Sequence, residues 1–261
     1  MSHIRDFPLV VFALSLVLLW LSALIGSLFK RKLQPRQEDE WKDLDTVLAA
    51  TLTLLGLIIG FSFSTAIDRY NQRKHCEAEE ANAIGTEYVR VDLLPAADAT
   101  RLRELLRNYL DQRVLFYETG RVLFYETGDE RQLRKIDADT SRLEIELWSA
   151  VRGAAVAQPT PTTALAVAGM NDVLNARGYT QAAWWNRVPA SAWSLMAAIA
   201  IFCNVLLGYD ARRKHILLLL MLPLALSVSF LLIADIDSPR GGLIHVLPQN
   251  LGSLSQSLHG Q

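Results

Sequence analysis

Charged residues avoid four stretches of the chain and crowd the rest. Residues 8–29 hold 22 positions without a charge. As a helix that is about 33 Å, close to the roughly 30 Å of a bilayer's hydrocarbon core. A cleaved signal peptide would have a shorter apolar core. Here the run ends on Lys30-Arg31-Lys32, a stop-transfer pattern. Residues 47–67 form the second stretch, closed by Asp68-Arg69. Residues 188–209 form the third, entered through Pro189, with Trp184, Trp185 and Trp193 near one end, as suits a membrane interface. Residues 216–234 form the fourth, bounded by Arg212-Arg213-Lys214 and Asp235, with Pro223 inside, where a ring without an N–H is expected to kink a helix. Because hydrocarbon cannot solvate backbone amides, all four runs are predicted to be helices.

Residues 68–187 are polar and carry helical spacing. Residues 68–94 continue the second run as one long helix that Pro95 interrupts. A second helix starts near Asp98 and stripes Leu102, Leu105, Leu106, Tyr109 and Leu110 along one face. A third opens at Asp129, where Gln132 three residues on resembles a capping box. Its stripe is Leu133, Ile136, Thr140, Leu143, Leu147 and Val151. A loop follows at Gln158-Pro159-Thr160-Pro161, and Thr162 or Thr163 is expected to cap a fourth helix. These stripes are read as packing seams, within one subunit or between subunits. The predicted fold is therefore an all-α membrane protein, with four transmembrane helices, a helical extramembrane domain inserted between helices 2 and 3, and a tail over 235–261.

Residues 113–120 read RVLFYETG, and 121–128 repeat it letter for letter. Eight residues advance a helix by about 80° beyond two turns, so the copies cannot show one neighbour the same face. A short tandem duplication in the coding DNA, absorbed near a helix end, accounts for it.

Composition and charge narrow the function. The net charge is −1, and no basic excess points to nucleic acid. Two cysteines, Cys76 and Cys203, imply no disulfide framework. No residue group has metal-ligand spacing, and no phosphate loop or nucleophile motif is present, so neither an enzyme nor a cofactor is expected. Glu77, Glu79 and Glu80 read as a solvated face. Flanking cations do not settle orientation. Lys30, Arg31, Lys32, Arg36, Lys42, Arg212, Arg213 and Lys214 lie on one side, and Arg5, Arg69, Arg73, Lys74, Arg177, Arg187 and Arg240 on the other.

The second run carries two stripes at a spacing of four. Gly56, Gly60 and Ser64 are small and suit close helix packing in lipid. Thr53, Leu57, Phe61 and Thr65 form the second. Around a shared axis they would make an apolar constriction with hydroxyls at its ends, able to gate ions by dewetting. The same positions suit lipid or a neighbouring helix, and the residues alone leave both readings open. Asp68, Arg69, Arg73 and Lys74 follow as pore-mouth candidates, or as solvated or lipid-binding charges. Asn204, inside the third run, is expected to hydrogen-bond another helix.

Four segments together resemble a bacterial bestrophin-like membrane family. They are Gly60-Phe61-Ser62 with Asp68-Arg69-Tyr70 and 79–86 (EEANAIGT), Asp92-Leu93-Leu94-Pro95, Arg187-Val188-Pro189, and 235–244 (DIDSPRGGLI). Bestrophins are pentameric anion channels whose second span lines a narrow neck. The resemblance thus implies a homo-oligomeric channel in the bacterial inner membrane, in contact with lipids, with the central domain and termini cytoplasmic. The acidic run that helps bestrophins bind calcium is reduced here to Asp235 and Asp237, and no calcium site is carried over. These two acids are expected to end a helix and contact basic neighbours. A non-conducting scaffold or sensor whose helical domain binds partners is the rival reading. A small-solute transporter is weaker, because the spans show no internal repeat.

Overall fold

The computed structural model describes residues 6–30, 38–119, 129–210 and 216–260. Only backbone is described at 29–30, 38–43, 129–130, 210 and 216–218. Among these residues every regular element is helical: α1 (Pro8–Lys30), α2 (Glu38–Arg90), α3 (Ala96–Glu118), α4 (Asp129–Ala157), α5 (Pro161–Trp185), α6 (Ala190–Asp210), α7 (Ile216–Asp237) and α8 (Gln249–His259). Four helical runs are long and apolar enough to cross a membrane: Pro8–Leu28, Leu44–Leu93, Pro161–Tyr209 and Leu219–Asp237.

α2 is a single helix of 53 residues. It runs past the apolar stretch into the polar one and ends in a 3-10 turn, Val91–Leu93. Pro95 stops it and then caps α3, whose first turn does not need the amide that proline lacks. α5 begins differently from expectation. Thr160, not Thr162 or Thr163, is its N-cap, and Thr163 closes the capping box from the third helical position. Pro161 explains the shift, since its fixed φ suits the first turn and leaves the preceding threonine as the half-in residue. The side chain of Asp129, the proposed cap of α4, lies outside the described residues. The second copy of the octapeptide, with Gly120, lies outside them too, whereas 113–119 belong to α3 and its end.

The chain divides into two compact units. The first comprises Met1–Arg69 and Arg187–His245, and so holds α1, the start of α2, α6 and α7. α1 packs against both α6 and α7. Its core includes Leu19, Ala23, Met196, Ala200, Cys203 and Ile233. The α1–α6 crossing is backbone on backbone. A β-carbon added at Gly26 would fall on the carbonyl oxygen of Val205, and one at Gly208 on that of Ala23. Only glycine allows that approach, which trades side-chain bulk for close van der Waals contact.

The second unit comprises Tyr70–Asn186 and Val246–Gln261, and so holds the rest of α2 with α3, α4, α5 and α8. Its core gathers Ile84, Val91, Leu102, Leu106, Leu147 and Met170. The predicted α3 stripe is buried throughout. The α4 stripe is buried except for the half-buried Leu133. α8 in the tail was not predicted. Its Leu251 and Leu258 are buried, and Asp111 accepts hydrogen bonds from Ser255 and pairs with His259 at 3.1 Å.

Candidate functional site

The start of α2 has two faces. Leu48, Leu55, Ser62 and Ala66 point into the first unit and are 9% exposed or less. Thr53, Gly56, Leu57, Gly60, Phe61 and Ser64 lie on the exposed side. Phe61 is 65% exposed and Leu57 55%. A β-carbon on Gly56 or Gly60 would meet nothing within 4 Å among the described residues. Among the described residues, the close packing expected at Gly56 and Gly60 is therefore not made within this chain, and Ser64 is exposed. Such packing is made instead at Gly26 and Gly208. Both expected stripes of α2 lie on the chain's open side, with Thr65 half-buried at the edge.

The two threonine hydroxyls are already engaged. Thr53 donates to the Ala49 carbonyl at 2.9 Å, and Thr65 to that of Phe61 at 2.9 Å. A hydroxyl that donates back to its own helix turns lone pairs outward, not a proton. In this rotamer neither threonine offers a donor to an anion.

The expected mouth residues separate. Asp68 and Lys74 are exposed and Arg69 is half-buried. Arg73 is 1% exposed, which removes its guanidinium from the groups free to form a mouth ring. The reason is helical phase: at 100° per residue, Arg73 shares the inward face of the second unit with Glu77, Glu80 and Ile84.

That phase also corrects the reading of Glu77, Glu79 and Glu80 as one solvated face. Only Glu79 is exposed; Glu77 is 1% and Glu80 0% exposed. Glu77 accepts hydrogen bonds from the backbone amides of Asn250 and Leu251, each at 2.9 Å, and from the Asn250 side chain at 2.6 Å. It thereby supplies the negative charge that the N-terminus of α8 lacks. Glu80 pairs with the buried Arg113 of α3, and Thr180 of α5 donates to it at 3.0 Å. Burial alone would lower the pKa of Arg113, but Glu80 beside it outweighs this and holds it above its ordinary value. Arg113 also lies over the Phe116 ring at 4.4 Å, and Phe116 packs on Trp184. The first copy of the octapeptide thus carries structural side chains of the second unit. The signal was present in the sequence: 77, 80, 84, 87 and 91 recur on one helical face, and Ile84 and Val91 mark it as buried.

Glu87 on the same face is 0% exposed, and both its carboxylate oxygens are buried without a hydrogen-bond partner. Gly169 of α5 is packed against it, since a β-carbon there would fall on Oε2. Burial pushes its pKa up to about 8; Arg90 opposes the rise and Asp172 adds to it. The sign for stability follows. Below about pH 4.5 the carboxyl is protonated in both states. Between about 4.5 and about 8 the unfolded chain releases the proton and the folded chain keeps it, so stability falls as pH rises. Above about 8 the penalty is constant. Glu87→Gln should therefore gain on the parent chain by a few kcal/mol across that window, each pKa unit being worth about 1.4 kcal/mol. Thermal unfolding at a series of pH values checks this. A gap between the two proteins that stays flat with pH would contradict it.

Asp235 and Asp237 stand at the end of α7, as expected of acids that end a helix, whereas Asn204 departs from its expectation. Asp237 accepts the Val188 amide at 2.9 Å, and Asp235 accepts those of Leu243 and Ile244 at 2.7 and 3.1 Å. Both acids fix backbone, because helix ends and a turn bring unpaired amides to them. Asn204 donates to Ala200 of its own helix at 2.8 Å, not to another helix, and its Oδ1 is buried without a partner.

A family model described as Bestrophin-like domain matches residues 10–251. The chain belongs to the bestrophin-like family. Comparison with curated proteins gives no match. Among solved structures, a leucine-to-threonine variant of a bacterial bestrophin homologue from Klebsiella pneumoniae superposes with a TM-score of 0.63 and 15% identity, covering 96% of this chain and 99% of that one. A tyrosine-to-alanine variant gives 0.62 and 16%, covering 95% and 98%. A tryptophan-to-alanine variant gives 0.64 and 14%, covering 96% and 97%. At such identity the likeness is one of fold, and the bestrophin fold here extends over nearly the whole of each chain.

Proposed function

We propose that this bestrophin-like chain is one subunit of a homo-oligomeric, anion-conducting channel, a pentamer by family resemblance, with the start of α2 lining the pore. In this reading α1, the start of α2, α6 and α7 cross the bacterial inner membrane. The second unit and the termini lie in the cytoplasm, and membrane lipids surround the rest.

The observation that carries the proposal is the open face of α2. Phe61 and Leu57 are more than half exposed, while the opposite face of the same helix is buried in its own unit. An apolar face that its own chain leaves open is covered either by lipid or by other subunits, and this reading assigns it to subunits. A ring of like helices supplies that cover: five Phe61 and five Leu57 side chains would form an apolar neck that holds back hydrated ions until it widens. With no charge between 47 and 67, selectivity is assigned to the ends of the passage. Lys74 is the exposed cation there and Arg69 the half-buried one, with Asp68 opposing them. The threonine hydroxyls would need to turn from their helix carbonyls before they could donate to an anion.

The test is electrical. The purified full chain, reconstituted in planar bilayers, is expected to carry current, and Phe61→Ala is expected to raise it roughly tenfold or more. That corresponds to a barrier lower by about 1.4 kcal/mol or more. Absence of current with any monovalent anion or cation would refute the channel and favour the non-conducting scaffold.

A further inference from the structure

The segment after α7 is built in a way the channel does not explain. Asp235, 7% exposed, holds the amides of Leu243 and Ile244 on its two carboxylate oxygens. The Gly241 amide donates to the Ser238 hydroxyl at 2.9 Å. Gly242 has φ +95, a conformation that a side chain would strain, and a β-carbon there would also fall on Asp235. A β-carbon on Gly241 would fall on the carbonyl of Asp6, which places the turn against the start of α1. All this fixed backbone presents two apolar side chains outward. Leu243 is 80% exposed and Ile244 37%.

We propose that the 241–244 turn is a membrane-interface anchor, which inserts Leu243 and Ile244 among lipid acyl chains at the headgroup boundary. It rests on the reading above that α1, α6 and α7 span a bilayer. The level of the turn argues for lipid. It lies where apolar helix gives way to charge: Asp6 and Arg187 form an ion pair there, Asp237 accepts the Val188 amide just before α6, and α7 ends. Beside it, Phe7 just before α1 and Leu9 and Val10 in its first turn are exposed at 43%, 52% and 39%, so the apolar surface at the start of that helix meets the turn. Exposed apolar side chains at such a boundary gain by entering the acyl region, and a preset backbone spares them the entropy of ordering. A second copy of this chain is the competing occupant.

Spin-label accessibility distinguishes these. Full-length protein carrying Cys76→Ser and Cys203→Ala receives a single cysteine as Leu243→Cys, Val17→Cys or Ser257→Cys. Each is labelled with a nitroxide in phosphatidylcholine–phosphatidylglycerol vesicles, and collisions with oxygen and with a water-soluble nickel chelate are measured. Val17 on α1 is 55% exposed, and Ser257 is an exposed polar position of α8. The label at 243 is expected to collide more with oxygen than with nickel, as at 17, whereas the label at 257 shows the reverse. A label at 243 that behaves like 257 overturns the anchor, and so does one shielded from both reagents, which would mean a protein occupant. If the label at 17 itself meets nickel freely, the spanning reading fails and the anchor fails with it.

Discussion

Arg113→Met is expected to destabilise the second unit by about 3–5 kcal/mol, the usual cost of leaving one partner of a buried ion pair alone. Glu80, its partner, is wholly buried, and Arg113 is 2% exposed. Without the guanidinium, Glu80 would keep the Thr180 hydroxyl at 3.0 Å and a long contact from Tyr117 at 3.5 Å. Neither neutral group balances a charge. The Phe116 ring would also lose the cation lying 4.4 Å over it. The double variant Glu80→Gln with Arg113→Met should recover much of the loss, because no unpaired charge then remains. Thermal unfolding of the parent, of Arg113→Met and Glu80→Gln each alone, and of the double variant, in detergent and followed by tryptophan fluorescence, completes the double-mutant cycle. Additive losses would contradict the pairing.

Gly208→Ala is the second large effect. The added methyl would fall on the backbone of Ala23, where no side chain can yield. α1 and α6 must then part, at a cost of about 1–3 kcal/mol or more for overpacking a tight contact. Gly56→Ala serves as the control, since open space surrounds that position in the single chain. The expected result is a marked fall in melting temperature and in monodisperse yield for Gly208→Ala, with the melting temperature of Gly56→Ala near that of the parent. Equal tolerance of both substitutions would contradict the crossing.

Much of the helical order was legible because it depends on local pattern. Uncharged runs, the Pro95 break and the α3 stripe each declare themselves within a few turns of chain. What was misread depends on partners distant in sequence. Glu77 looks solvated until α8 is known to present its N-terminus to it, more than 170 residues later. Glu80 looks solvated until Arg113 and Thr180 arrive. The small-residue stripe at Gly56, Gly60 and Ser64 reads as a close-packing seam, yet within the chain the observed close approach is at Gly26 and Gly208. Spacing on one helix cannot say which other helix offers a matching gap. α8 was missed because its eleven residues carry few apolar positions, and it gains stability from Leu251, Leu258 and the Glu77 cap. The open face of α2 was legible as a pair of stripes. Its significance required the burial of Leu48, Leu55, Ser62 and Ala66 opposite.

The most direct test of the conducting α2 face is chemical. Phe61→Cys, in protein with Cys76→Ser and Cys203→Ala, is placed in a bilayer and exposed to a charged, thiol-specific methanethiosulfonate reagent while current is recorded. With position 61 lining the passage, the current should fall as each thiol is modified and return on reduction, while the cysteine-free parent is unaffected. Steady current through protein whose residue 61 thiols are shown by mass spectrometry to be modified would contradict the account.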